Sequence, residues 1–153
     1  MEPTFVEREG FTVLGVQARV RLDESPDFGA IWHEFMEHHD QIQPLSVEEA
    51  YYEVCFGAGE PNVIDCLAGI AVAGDVTAPE GLALRKVPGG RYAVFECTME
   101  TISQTWGYAY GTWLPASTEY ESACPRPDFE QYLPDGDGGF SRVLVHVAVR
   151  RKA

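Results

Sequence analysis

Glu130 lies in PRPDFEQYLP (residues 125–134), a carboxylate set among aromatic and apolar residues. The run reads as a short strand, so Glu130 and Tyr132 share one face while Phe129, Gln131 and Leu133 share the other. A carboxylate beside rings has two useful states. Ionised, it offers a negative site where a planar cation rests against ring faces, each such contact adding about 0.5–2 kcal/mol. Raised toward neutrality by desolvation, it becomes a general acid or base for a bound electrophile. The structural alternative is an ion pair with Arg126 or Arg142.

Further candidates are Glu53 in YYEVCF, with its neighbour Tyr52, and the aromatic stripe Trp106, Tyr110 and Trp113. Glu53 either faces the same groove as Glu130 or sits at an exposed strand position. The stripe is either ordinary core or the wall of a ligand cavity. Tyr108, Tyr120 and His146 are weaker candidates of the same kind, and His146 shares a strand face with Arg142 and Leu144.

Other chemistry finds little support. No GxSxG, HExxH or phosphate-binding glycine pattern occurs. DGDGG (135–139) has neither the spacing nor the closing Glu of a calcium loop, and reads as a hairpin turn. Cys55, Cys66, Cys97 and Cys124 are widely spaced with no CxxC pair, so they read as free thiols, three of them small core residues. His33, His38 and His39 lack the i, i+4 spacing of a metal pair and read as solvated helix positions. The expectation is no metal and no cofactor.

The elements that must position these residues come in a repeating order. FVEREGFTVLGVQARV is a strand segment with a break or bulge at Gly10. SPDFGAIWHEFMEHH predicts a helix capped by Ser25, with Pro26 at its first position and Phe28, Ile31, Trp32, Phe35 and His39 on one stripe. AYYEVCF and VIDCLAGIAVAG follow as strands, then the linker GDVTAPEG. After it, LALRKVPGGRYAVFECTM predicts strand, glycine turn and strand, with Gly89 or Gly90 at positive φ. ISQTWGYAYGTWL is a glycine-weakened helix, and DFEQYLP and FSRVLVHVAV are strands. Trp32 precedes Trp106 by 74 positions and Glu53 precedes Glu130 by 77. Two copies of a β-α-β-β unit are therefore expected, about 4–74 and 82–150, within one domain spanning 1–153. Their sheets would pair edge to edge around a groove with the helices on the outer face, giving an α+β fold. Phe129 and Leu133 would face a helix, and Glu130 and Tyr132 the groove.

Across 153 residues, 11 Lys and Arg stand against 24 Asp and Glu, a formal net charge of −13. That balance repels phosphate backbones, so no direct nucleic-acid contact is expected; a small cation or a basic protein is the better partner on charge. No apolar run is long enough for a membrane span, and the charged N-terminus has no signal core. The expected compartment is the cytoplasm.

VPGGRYAVFECTM, WGYAYGTWLPAS, PRPDFEQYLP and VLVHVAVRRK together resemble the GyrI-like small-molecule-binding domain, which also forms the effector-binding part of AraC-type and MerR-type regulators. The resemblance covers nearly the whole chain and is most specific at GGRYAV and FEQYL. It implies a duplicated β-α-β-β fold with a hydrophobic ligand cleft, and a pocket glutamate that maps onto Glu130. It implies a small-molecule ligand, amphipathic or cationic, bound by Glu130, Tyr132, Trp106, Tyr110, Trp113, Tyr52 and Glu53. The regulators carry a helix-turn-helix that this sequence has no room for, so a separate module without DNA binding is expected. Two alternatives accompany the resemblance. One is hydrolysis of cyclopropane-bearing DNA-alkylating compounds, with Glu130 activating water. The other is an acidic protein that contacts gyrase or a regulator.

Overall fold

A computed structural model describes residues 1–137 and 139–153. Gly138, inside the expected DGDGG turn, lies outside the described residues. Among the described residues nine strands form the fold: β1 (Thr4–Arg8), β2 (Phe11–Arg21), β3 (Tyr51–Gly57), β4 (Val63–Val72), β5 (Ala83–Val87), β6 (Gly90–Cys97), β7 (Tyr120–Ser122), β8 (Asp128–Leu133) and β9 (Arg142–Arg151). The main helices are α1 (Phe28–Ile42) and α2 (Ile102–Tyr108). The expected α+β class holds, with helices set against a curved antiparallel sheet.

The sheet runs β1-β6-β9-β8-β3-β4-β2-β5, with β7 added beside β9. It is symmetric about the β3–β8 junction. From there outward, β4 and β2 on one side correspond to β9 and β6 on the other. The outermost strands are exchanged: β5 precedes β6 in sequence yet pairs with β2, and β1 precedes β2 yet pairs with β6. The glycine turn before Tyr92 therefore closes no hairpin. It lets two chain segments cross, since a side chain at Gly89 would lie 2.6 Å from the Arg8 carbonyl oxygen and 2.8 Å from the Gly10 nitrogen. Gly90 takes the expected positive φ, at 150°.

Gly15 of β2 and Gly69 of β4 are direct partners in their ladder, where the two backbones lie in close contact. A Cβ on Gly15 would overlap the Ala68 carbonyl, and one on Gly69 the Leu14 carbonyl. Only residues without side chains permit that contact.

Helix α1 is capped by Asp27, whose carboxylate accepts from Ala30 N at 3.2 Å, and not by Ser25, which sits in the left-handed region at φ 50°. Its stripe buries Ile31, Phe35 and Ile42 on the sheet. Helix α2 follows a reciprocal Thr98–Thr101 cap and then widens into a π-helical stretch, Ala109–Trp113, before a last turn at Leu114–Ala116. Gly107 lies just before the widening and Gly111 within it; their low helix propensity favours a break from α geometry at this place.

The two faces of the central strands differ from expectation. Phe129 and Leu133 pack with Tyr52, Val54, Tyr92 and Phe11 in a cluster that contains no helical side chain. Glu130 and Tyr132 point to the face that carries both helices, where Trp32 and Trp106 hang over them. The helices thus form walls of the groove.

Candidate functional site

β3 and β8 are neighbours in register, with Glu53 directly opposite Glu130. Strand alternation puts Tyr51, Glu53 and Cys55 on the helix face of β3, and Asp128, Glu130 and Tyr132 on that of β8. All six line one cavity of about 630 Å³. Phe28, Trp32, Trp106, Tyr110 and Phe140 supply further aromatic wall, and Leu22, Ile64, Met99 and Ile102 aliphatic wall. The size suits a drug-like molecule.

Each glutamate receives an indole N–H from its own half of the sequence. Trp32 Nε1 donates to Glu53 Oε1 at 3.2 Å, and Trp106 Nε1 donates to Glu130 Oε2 at 2.6 Å. Glu130 also accepts from the Tyr132 hydroxyl. Trp32 meets Tyr132 edge to face at 5.2 Å between centroids, tying the two halves together over the acids. Both glutamates are only 7% exposed.

Like charges directly across a ladder repel, more so when desolvated. The pair resolves this by holding a proton. Burial first, then the neighbouring charge and hydrogen bonding of Glu130, push the Glu53 carboxyl up to about 8. Burial and the two carboxyls raise the Tyr132 hydroxyl as well, so it remains a phenol and a donor. At the cavity's edge Tyr110 donates to Asp128, which also accepts from Ala148 N at 2.7 Å. Burial raises Asp128 against the pull of these bonds and of Arg126. Tyr51, on the opposite wall, shares a 2.7 Å hydrogen bond with His39 Nε2, so that imidazole is engaged in the fold and is not merely solvated.

Of the residues singled out in the sequence, Glu53, Glu130, Trp106, Tyr110 and Tyr132 come together here. Tyr52 and Trp113 do not line the cavity. Tyr52 is fully buried on the other face, where its hydroxyl donates to Glu48 and accepts from Arg8 and Gln131. The period-2 pattern excludes it, because Tyr52 and Glu53 are adjacent on one strand. Trp113 packs on Phe5 and Phe95, with centroids 6.0 and 5.5 Å away. The π-helical stretch is the reason: its wider turn changes the bearing of residues beyond Tyr110, breaking the i, i+4, i+7 stripe.

Tyr108 and Tyr120 lie off the cavity against Phe95 and Phe5, and His146 stacks on Phe129 at 4.3 Å. Arg142 pairs with Glu96, and Arg126 reaches backbone carbonyls of Arg91 and Val149, so neither partners Glu130. Sequence reasoning missed Trp32 as a site residue, although the repeated Trp and Glu positions carried the signal. It also missed Tyr51, Cys55, Asp128 and Phe140.

The fold recurs in solved structures. The structure of SAV2435 bound to tetraphenylphosphonium aligns with a TM-score of 0.80 at 13% identity, covering 98% of this chain and 94% of that one. An integron cassette protein from the mobile metagenome of Vibrio cholerae aligns at 0.68 with 20% identity, covering 97% and 96%. The EcmrR C-terminal domain aligns at 0.68 with 13% identity, covering 99% and 98%. No curated protein is significantly similar in sequence. The pattern of the GyrI-like small molecule binding domain matches residues 1–149, and the chain belongs to that family.

Proposed function

We propose that the chain takes up an amphipathic cation in this cavity, over the Glu53–Glu130 pair. The supporting observation is a charge imbalance. Two buried carboxyls and Asp128 line an otherwise apolar, aromatic space, and among the described residues no Lys, Arg or His lines it with them. A buried acid without a basic partner is costly, and here the Glu53 proton stands in for the missing cation. A cationic ligand would replace that proton and rest on the rings of Trp32, Trp106 and Tyr132. Tetraphenylphosphonium, bound in the SAV2435 structure, has the required charge and aromatic surface and serves as the probe.

The test is a titration with tetraphenylphosphonium followed by tryptophan fluorescence and calorimetry, beside the uncharged triphenylphosphine oxide. Saturable one-site binding of the cation, with much weaker binding of the neutral compound, is the expected result. Equal affinity for both, or no saturation by either, would remove the carboxyls from recognition.

A second reading is supported by the inequality within the acid pair. Glu130 is an acceptor held by Trp106 and Tyr132, while Glu53 keeps a proton at neutral pH. One group can then take a proton from water as the other gives one to the opening ring of a cyclopropane-bearing alkylator. Incubation with such a compound and mass spectrometry tests it. A product heavier by one water, formed by the wild type and not by Glu130→Gln, is expected of a hydrolase; equal formation by both would sink this reading.

A further inference from the structure

Cys55 and Cys66 stand directly opposite one another in the β3–β4 ladder. Opposed residues in an antiparallel pair project to the same face, with Cα atoms about 4.5 or 5.5 Å apart depending on the hydrogen-bonding position. Both values fall within the roughly 4.4–6.8 Å that a disulfide spans. The two thiols differ in access. Cys66 is fully buried, whereas Cys55 is partly exposed and lines the cavity. In the ladder Cys55 sits between Cys66 and Asp128, two positions along β3 from Glu53. All four cysteines are free thiols.

We propose that Cys55 and Cys66 form a peroxide-sensitive dithiol in the cavity wall, a reversible modification site in which Cys55 is attacked first and Cys66 resolves it. A hydroperoxide small enough to enter the cavity meets Cys55. The sulfur takes the distal oxygen, the O–O bond breaks, and Cys55 sulfenic acid forms with release of an alcohol, or of water from hydrogen peroxide. The Cys66 sulfur then attacks the Cys55 sulfur, the S–O bond breaks, and the hydroxyl leaves with the Cys66 proton as water. Two thiols and one peroxide give one disulfide, one alcohol and one water.

The assignment of roles follows from surroundings. The hydrogen bond with Cys55, then burial and the nearby Glu53, push the Cys66 thiol up, so Cys66 is the less readily attacked of the two. The bond would draw the Cys55 sulfur out of the cavity lining toward β4 and remove the Cys66 thiol from beside Glu53. Oxidation would therefore reshape the wall next to the acid pair. In a reducing compartment the disulfide would be transient, as expected of a sensing pair.

The experiment uses the full chain carrying Cys124→Ser, which removes the exposed competing thiol. The protein is exposed to hydrogen peroxide, denatured in N-ethylmaleimide and mapped by mass spectrometry. The expected result is simultaneous loss of two alkylatable thiols, a peptide pair joined through Cys55 and Cys66, and full recovery with dithiothreitol while Cys97 stays alkylatable. Cys66→Ala should leave Cys55 as a sulfenic acid trapped by dimedone, and Cys55→Ser should leave Cys66 unoxidised. The proposal is overturned if both thiols remain alkylatable after prolonged oxidation, if Cys66 oxidises in Cys55→Ser, or if the bond joins Cys97. Ligand binding enters none of these readouts, so the cation-binding reading stands or falls separately.

Discussion

Glu53 and Glu130 face one another as direct partners across the β3–β8 ladder, each held by an indole from its own half of the chain. This is where the approximate symmetry of the sheet meets itself. Two like acids are brought together because equivalent strands pair at the centre, and a proton on Glu53 relieves their repulsion. Holding two like acids out of water in this way costs stability.

Removal of one charge tests the recognition. Glu130→Gln keeps the shape and an acceptor for Trp106 but loses the charge. Tetraphenylphosphonium affinity is expected to fall about 10- to 100-fold, the scale of one charged interaction of roughly 1.5–3 kcal/mol. Calorimetry at constant ionic strength measures it.

Proton displacement makes binding pH-dependent. Because Glu53 is protonated below about 8, cation affinity should rise as pH increases from 6 to 9, with proton uptake by the buffer on binding near pH 7. Calorimetry in buffers of differing ionisation enthalpy reads that proton directly. In Glu53→Gln the proton release and most of the pH slope should vanish.

Stability carries the same signature with a definite sign. The Glu53 carboxyl is raised in the folded state, so the native protein binds more protons than the unfolded chain between its ordinary value of 4.5 and about 8. Its contribution is full below the lower value and is lost as pH rises through the upper one. The melting temperature of Glu53→Gln relative to wild type should therefore climb across that window. A difference of about 1 kcal/mol corresponds to roughly 2–4 °C in a chain of this size.

His146 works in the opposite direction. Burial on Phe129, and to a lesser degree the Arg8 charge, lower its imidazole to about 4. Below its ordinary value of 6.5 the unfolded chain takes a proton that the native state refuses, so stability falls as pH drops from 6.5 toward 4. His146→Phe should flatten that acid limb in thermal melts recorded from pH 4 to 7.

Two residues outside the cavity separate support from recognition. Tyr52→Phe removes a hydroxyl shared by Glu48, Arg8 and Gln131, and should cost about 1–3 kcal/mol in urea unfolding. Trp113→Ala opens a hole against Phe5 and Phe95 and should cost up to about 3–5 kcal/mol. Neither should change tetraphenylphosphonium affinity more than about twofold, well under 1 kcal/mol.

Much of this was legible in the chain. Periodicity marked most of the strands and both helices, and the matched positions of Trp32 and Trp106, and of Glu53 and Glu130, announced a duplication. Local pattern does not say which strand pairs with which, and so the exchange of β1 and β5 was invisible: it depends on chain crossing at Gly89, a contact between residues some 80 positions apart. Nor did pattern choose the face of β8 that meets the helices, because both faces carry apolar or aromatic residues. The π-helical widening that turns Trp113 away is likewise a packing outcome. Above all, the opposition of Glu53 and Glu130 exists only once β3 lies against β8; sequence supplied two carboxylates, and tertiary pairing made them one buried pair.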